Sequence, residues 1–274
     1  MTTEARAVES KTLTLNGLRF HYLDWGRPRP DAQTMVCLHG FSSHAHSWDT
    51  FAEAMRERYH VLALDQRGHG LTEWATDYHA QRRVEDMQAF QAALNLDHFV
   101  LVGLSMGGYI AFEMLRQAPE RIAAAAFLDT SARPDTAEQT ERRHALIRIA
   151  EAGGLDRVAE LQFPLMVDAS RLEDAALKAA YGRMVEETGA DAFVRQQKAI
   201  MSRPDSRPDL GRIACPALAL VGDGDQATPP ELAREIAAGI PGAELAVIER
   251  CGHLSTLERP AEVSGRLRDW LNRI

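Results

Sequence analysis

The sequence contains few cysteines and no long hydrophobic run. Its three cysteines, Cys37, Cys215 and Cys251, cannot all pair and show no CxxC spacing, which argues against a disulfide framework and against structural zinc. No stretch approaches the roughly 18 apolar residues that a membrane-spanning helix needs. The first residues are polar and include acids, and they lack the apolar segment of a secretion signal. We therefore expect a cytoplasmic protein.

Basic residues are also fewer than acidic ones. Lysine and arginine number 31 against 39 aspartates and glutamates, so the net charge is −8. This balance argues against binding to nucleic acid or to an anionic membrane, where a basic face would be expected, and it argues mildly against a highly anionic substrate. With 45% hydrophobic and 26% charged residues, the 274-residue chain has the composition of a folded protein. The partner expected is a small-molecule substrate, bound by a monomer or a small homo-oligomer.

Two kinds of apolar pattern predict strands. Residues 12–25 alternate apolar and polar side chains around Asn16-Gly17, a dipeptide that favours a type I′ turn, and they predict a β-hairpin. Short, continuously apolar runs follow, as is typical of strands buried on both faces of a sheet. These runs are residues 35–38, 61–64, 99–102, 124–128, 217–221 and 245–248.

Helical patterns lie between these strands, at residues 82–95, 106–117, 230–238 and 260–271. Strand–helix alternation of this kind predicts the α/β class, with a mainly parallel sheet covered by helices on both faces. The alternation is broken by residues 131–208, which are charged and helix-rich. We predict a core domain formed by 1–130 and 209–274, and a helical cap inserted at 131–208 over the carboxyl edge of the sheet.

The most informative motif is Gly103-Leu-Ser105-Met-Gly107, which follows a buried strand and begins a helix. A sharp strand–turn–helix needs small residues on either side of the serine, and it exposes the hydroxyl above the sheet at the positive end of the helix. Ser105 is therefore the predicted nucleophile. A packing turn rich in glycine is the structural alternative.

A serine nucleophile needs a base and an acid that orients the base. His253 lies in the loop between the last predicted strand and the last helix, where its side chain can reach Ser105. The loop after the preceding strand contains Asp223 and Asp225. We favour Asp225, because Asp223 is closer to the strand end and is better interpreted as a turn residue; Asp129 is a third candidate.

An oxyanion formed on the substrate needs two backbone N–H donors. The Met106 amide directly follows the nucleophile, and the Phe41 amide lies in the loop His39-Gly40-Phe41 after the strand at 35–38. Gly40 lets this loop turn sharply. His39 is better interpreted as a hydrogen-bonded brace of the loop than as a catalytic group.

Together these motifs resemble those of the α/β-hydrolase superfamily over essentially the whole chain. The matching segments are the oxyanion loop His39-Gly40-Phe41 with Trp48, the turn 65–70, the serine elbow, the acid loop 222–229 and the histidine loop 252–260. The resemblance implies an α/β-hydrolase fold with a helical lid and with neither a metal nor an organic cofactor. Ser105 differs from the aspartate of the dehalogenase and epoxide-hydrolase branches, and Met106 from the tryptophan often found in proline iminopeptidases.

The substrate pocket is less clearly marked. His44, Trp48, Trp74 and Phe163 are candidate lining residues, as is Met166, although core packing explains the aromatic residues equally well. The pair His44 and His46 lacks the further ligands that a metal site needs. Cys251 does not lie in a strand–turn–helix motif like that of Ser105, and it is interpreted as a packed thiol.

These observations predict a serine hydrolase of the carboxylesterase or lactonase type, which cleaves a small ester or lactone through an acyl-enzyme on Ser105. The segment 227–260 resembles bacterial 3-oxoadipate enol-lactonases and carboxylesterases. An enol-lactonase is one competing function and needs a cation in its pocket, for which Arg133, Arg183 and Arg195 are candidates. A second is a hydrolase that cleaves the C–C bond of a ring-fission product, and a third is a binding protein without activity.

Overall fold

The computed structural model describes residues 7–74 and 80–274; residues 1–6, which are part of the segment used in the leader prediction, lie outside them. A single eight-stranded sheet has the order β1-β2-β4-β3-β5-β6-β7-β8. Its strands are β1 (Glu9–Leu15), β2 (Leu18–Asp24), β3 (Thr34–Leu38), β4 (His60–Leu64), β5 (Phe99–Leu104), β6 (Ile122–Leu128), β7 (Ala217–Gly222) and β8 (Glu244–Ile248). Each run predicted from its apolar pattern is a strand.

The predicted hairpin occupies one edge of the sheet. β1 pairs antiparallel with β2, and Leu15 faces Leu18 across a two-residue turn. In that turn Asn16 and Gly17 have φ angles of 50° and 80°, the positive values that a type I′ turn requires. β2 is antiparallel to β4, and the remaining neighbouring strands are parallel. The mainly parallel sheet is confirmed.

Ten α-helices lie in the described residues, at α1 (Asp49–Met55), α2 (Ala80–Ala93), α3 (Met106–Gln117), α4 (Ala137–Glu151), α5 (Leu155–Met166), α6 (Ala175–Thr188), α7 (Ala190–Met201), α8 (Pro230–Gly239), α9 (Ser255–Glu258) and α10 (Pro260–Leu271). One apolar cluster joins the sheet to α2, α3 and α8, and a second joins it to α1 and α10. Helices therefore cover both faces, as the alternating pattern predicted. The short helices α1 and α9 were not predicted.

The helices α4 to α7 lie between β6 and β7 in the chain and share an apolar cluster, which also includes Leu254 of the loop that carries His253. The two ends of this segment meet, because the Ser206 amide donates to the Ala132 carbonyl at 2.8 Å and Arg203 Nε donates to the Arg133 carbonyl at 2.9 Å. We retain 131–208 as the predicted limits of the cap.

The end of α5 is fastened to the loop that carries His253. The Leu254 amide donates to the Met166 carbonyl at 3.0 Å. The buried carboxylate of Glu258 accepts from the amides of Asp168 and Gly252, each at 2.9 Å. These contacts hold part of the cap directly against the carboxyl edge of the sheet.

No helix within residues 7–74 and 80–274 is long and apolar enough to cross a membrane.

Candidate active site

Ser105 lies at the sharp turn between β5 and α3. Its φ and ψ angles are 51° and −111°, a conformation that non-glycine residues rarely adopt. The turn brings backbones together so closely that a Cβ at Gly103 would lie 2.5 Å from the Gly107 carbonyl oxygen. A Cβ at Gly107 would collide with the Leu38 carbonyl of β3. Glycine at both positions is therefore what lets the sequence form this turn.

The serine, histidine and aspartate come together in a line of hydrogen bonds. Ser105 Oγ lies 2.9 Å from His253 Nε2, and His253 Nδ1 lies 2.9 Å from Asp225 Oδ2. All three side chains are buried, with residue exposures of 9%, 6% and 3% in that order. An Nδ1–H that donates to the carboxylate leaves Nε2 free to accept the serine proton.

Asp225 is held by its own loop. Its Oδ1 accepts from the amides of Ala227 and Thr228 at 2.8 and 2.9 Å, and its Oδ2 accepts from Thr228 Oγ1 at 2.7 Å. Thr228 Oγ1 also lies 3.2 Å from His253 Nδ1. Thr228 was missed in the sequence, although a hydroxyl three residues after an aspartate is a recognisable turn pattern.

The charge of Asp225 determines how His253 titrates. Burial opposes the charged imidazolium, but the charge of Asp225 and its hydrogen bond outweigh burial and raise the pKa of His253 above 6.5. The same carboxylate that raises this pKa stabilises the imidazolium that forms when His253 accepts a proton as a general base.

The other two candidate acids have different partners. Asp223 is exposed and accepts from the Cys251 amide at 3.2 Å, in agreement with its interpretation as a turn residue. Asp129 is fully buried and accepts from the Gly222 amide at 3.0 Å and from the Ser255 hydroxyl. Burial, and then the nearby charge of Asp225, raise the pKa of Asp129 well above its usual range. Asp129 thus ties the acid loop to the histidine loop.

The predicted oxyanion donors lie beside Ser105. Met106 is the first residue of α3, where amides lack partners within the helix. A Cβ at Gly40 would lie 3.4 Å from Ser105 Cβ, which places the Gly40-Phe41 turn against the nucleophile. In the described residues the Phe41 amide donates to no protein acceptor. The Phe41 and Met106 amides therefore remain the predicted oxyanion donors.

His39 braces the oxyanion loop. Its Nδ1 donates to the Gly40 carbonyl at 2.8 Å, and its Nε2 accepts from the Gln66 amide at 3.0 Å. Burial lowers the pKa of His39 to about 4, so the ring is neutral and can keep both contacts.

A cavity of about 740 Å³ opens above Ser105. We call Ser105, His253 and the sheet loops around them its floor, and the side chains of α4 to α7 that face it its roof. The roof residues are Arg143, Gln162, Met166, Tyr181 and Ile200.

Of the residues predicted to line the pocket, Met166 lines this cavity, and the other four are not among its lining residues. Trp48 is buried against Phe51 beside the sheet, and Phe163 packs inside the cap near Tyr181. Trp74 is 45% exposed. His44 Nε2 points to Glu187 Oε2 of α6 at 3.3 Å. An aromatic residue in the sequence predicts an apolar contact. It does not predict whether the ring faces the cavity or the protein core.

The three arginines considered as pocket cations are also not among the residues that line this cavity. Arg133 pairs with Glu235 at 2.8 Å, Arg183 is exposed, and the Arg195 guanidinium lies 4.1 Å from the Trp74 ring centroid. Arg143 lines the cavity instead. The sequence does contain a signal for Arg143, because it shares a helical face with Ile147 and Ala150, four and seven residues later, which are buried.

Cys251 is fully buried, and burial raises the pKa of its thiol, which agrees with the packed thiol predicted from the sequence. His46 Nδ1 lies 3.1 Å from Asp49 of α1. Within the described ranges, no group of three or more histidine, cysteine, aspartate or glutamate side chains is arranged to hold a metal ion.

Comparison with known proteins agrees with this geometry. The profile of the alpha/beta hydrolase family matches residues 35–266, so the chain belongs to that family and is a hydrolase. The uncharacterized hydrolase YugF of Bacillus subtilis is 26% identical, over 95% of this chain and 97% of that protein.

Two solved structures are also similar. A thermophilic esterase from Thermogutta terrifontis, solved with malate bound, has a TM-score of 0.89 at 27% identity and covers 97% of this chain and 98% of its own. An enol-lactonase from Burkholderia xenovorans LB400 has a TM-score of 0.87 at 25% identity and covers 96% of this chain and 100% of its own.

Proposed function

We propose that the protein is a cofactor-independent serine hydrolase that cleaves a small carboxylic ester or lactone. The observation that carries this proposal is the line of hydrogen bonds from Ser105 through His253 to Asp225, with 2.9 Å at each step, beneath an open cavity. The similarity to an esterase and to an enol-lactonase supports the same reaction class.

In the first half of the reaction, Ser105 Oγ attacks the carbonyl carbon while His253 Nε2 accepts the hydroxyl proton. Asp225 stabilises the imidazolium, and the amides of Phe41 and Met106 donate to the oxyanion. The tetrahedral intermediate collapses to an ester on Ser105, and the imidazolium gives its proton to the departing alcohol oxygen. In the second half, His253 takes a proton from water as the water attacks this ester, and the imidazolium then returns the proton to Ser105 Oγ as the acid is released.

The test combines labelling with kinetics. A fluorophosphonate probe is expected to attach to Ser105, as mapped by mass spectrometry, and Ser105→Ala should abolish labelling. The same variant should lower kcat on methyl and 4-nitrophenyl esters by about 10⁴-fold or more without changing the thermal unfolding midpoint. Full ester hydrolysis by Ser105→Ala would overturn the proposal, and an unlabelled, inactive wild type would favour a binding protein without activity.

The enol-lactonase function is kept as a second candidate because Arg143 supplies the cation that a lactone with a free carboxylate needs. A panel of esters, enol-lactones and vinylogous ketones, assayed at equal concentrations, distinguishes the reaction classes. Preference for the vinylogous ketone would instead assign C–C bond hydrolysis.

We also propose that the enzyme works in the cytoplasm on a small molecule alone, as a monomer or a small homo-oligomer. Three free cysteines support a reducing compartment. Fractionation of cells of the source organism and light scattering of the purified protein test these two points.

A further inference from the structure

Arg143, on α4, is fixed in the roof of the cavity. Its Nε and Nη2 donate to the carboxylate of Asp135 at 2.6 and 3.3 Å, and its Nη1 donates to Gln197 Oε1 at 2.8 Å. The side chain remains 21% exposed. These contacts hold the guanidinium in one orientation while part of it faces the cavity.

The cluster around Asp135 contains more positive than negative charge. Asp135 also accepts from Arg203 Nη1 at 2.6 Å, so two guanidinium groups share one carboxylate. The side chains of Asp135 and Arg203 are 2% and 6% exposed, which makes Arg143 the most exposed member of the cluster. Because buried charge is costly unless it is paired, the excess positive charge favours an anion at the exposed side of Arg143.

The charge of Arg143 is accessible to a molecule bound in the cavity. Among its lining side chains in the described residues, Arg143 is the one with a permanent charge, and the other polar groups are hydroxyls, an amide and His253. A guanidinium matches the geometry of a carboxylate, and their attraction is stronger in an enclosed site than in open water.

We propose that Arg143 binds a free carboxylate of the substrate, so that the preferred substrate is an ester or lactone of a molecule carrying a second, ionised carboxyl group. The inference rests on the proposed hydrolase function and names the substrate class for that site. The overall charge of −8 does not oppose it, because the local charge at the roof has the opposite sign.

The experiment compares substrates that differ in one charge. Monomethyl esters of unbranched dicarboxylic acids of four to six carbons are matched with methyl esters of monocarboxylic acids of equal length, and kcat and KM are measured for each. Wild type should favour the anionic series. Arg143→Gln should lower the ratio of kcat/KM, anionic over neutral, by roughly 10- to 100-fold, the range for loss of a hydrogen bond to a charged group. The loss should appear mainly in KM.

Two further variants make the result specific. Arg142→Gln removes the same charge from the neighbouring, 55% exposed position outside the Ser105 cavity, and it should leave the ratio unchanged. Arg143→Lys keeps the charge but loses the planar guanidinium, which can donate two hydrogen bonds to one carboxylate. The ratio of kcat/KM, anionic over neutral, should therefore lie between those of wild type and Arg143→Gln. In Arg143→Gln, Asp135 keeps Arg203 as a partner, which preserves the fold.

The possible results separate this inference from the proposed function. Equal losses on anionic and neutral esters in Arg143→Gln, or no anionic preference in wild type, would overturn the role of Arg143 while fluorophosphonate labelling of Ser105 still stands. A wild type that neither labels nor hydrolyses any ester overturns the function, and the inference with it.

Discussion

The floor and the roof of the cavity are held in place by different means. In the floor, backbone packs on backbone: a Cβ at Gly103 or Gly107 would collide with main-chain atoms of the elbow or of β3. In the roof, Arg143 is held by side-chain partners on the cap, Asp135 and Gln197. Where main chains are in direct contact, there is almost no room for an added side-chain atom. A contact between side chains can instead be changed by substituting one residue at a time. We therefore expect substitutions to be tolerated less well in the floor than in the roof.

The largest expected effect tests the acid of the floor. Asp225→Asn should lower kcat on a neutral methyl ester by about 10⁴-fold, because an amide stabilises the wrong His253 tautomer and cannot balance the imidazolium. The unfolding midpoint should change little. The control is Asp223→Asn on the same loop, where the exposed side chain keeps an oxygen for the Cys251 amide, and activity should stay within about twofold. Reversed results for the two variants would move the acid role to Asp223.

The second prediction concerns pH. His253 must be neutral to act as a base, and its pKa lies above 6.5 because Asp225 outweighs burial. As pH falls below that pKa, kcat/KM on a neutral ester should decrease about tenfold per unit. Removing the Asp225 charge should move this decrease to lower pH. A wild-type profile that stays flat below pH 6.5 would contradict the assignment.

The roof should behave differently in the same experiment. The proposed contact of Arg143 with the substrate does not involve His253, so the ratio of anionic to neutral ester hydrolysis should remain constant from about pH 6 to 9.

The third prediction is the stability cost of a side chain in the floor. Gly103→Ala places a methyl group against the Gly107 carbonyl, and overpacking of this kind costs about 1–3 kcal/mol. Urea unfolding should show the decrease in free energy, accompanied by loss of activity as the elbow shifts. An unchanged midpoint and full activity would mean that the floor is less constrained than we infer.

The smallest expected effect is the matching change in the cap. Gly182 lies within α6, and a Cβ there would have no neighbour within 4 Å. Gly182→Ala should stabilise the protein by about 0.5–1 kcal/mol, since alanine loses less conformational entropy in a helix. Urea unfolding measures this gain, and ester hydrolysis should not change. A destabilised variant would show that the cap is packed as tightly as the floor.

The sequence predicted most of the floor. Short apolar runs marked the strands, Asn16-Gly17 marked the hairpin, and the glycines around Ser105 marked a turn that few other sequences can form. The order of Ser105, Asp225 and His253 followed from which loops share the carboxyl edge of a parallel sheet. These signals are local, so they can be recognised without the tertiary structure.

The roof was not predictable in the same way. Its lining depends on how four helices pack over the sheet, and the apolar rings of Trp48 and Phe163 satisfy core contacts equally well. Thr228 was missed although its spacing from Asp225 is visible in the sequence, whereas the contacts of Arg143 depend on residues that are distant in the chain. Arg143 could have been noticed as a charged residue on the buried face of α4, but Asp135 and Arg203 come close to it only in the folded cap.

The hydrogen bond between the Ser206 amide and the Ala132 carbonyl has a consequence for evolution. It brings both ends of the helical insertion to one place, so a replacement segment of almost any length can leave and rejoin the sheet there without stretching it. Recombination can therefore exchange this segment as a unit. Related proteins that keep the same sheet and loops can in this way acquire different substrates.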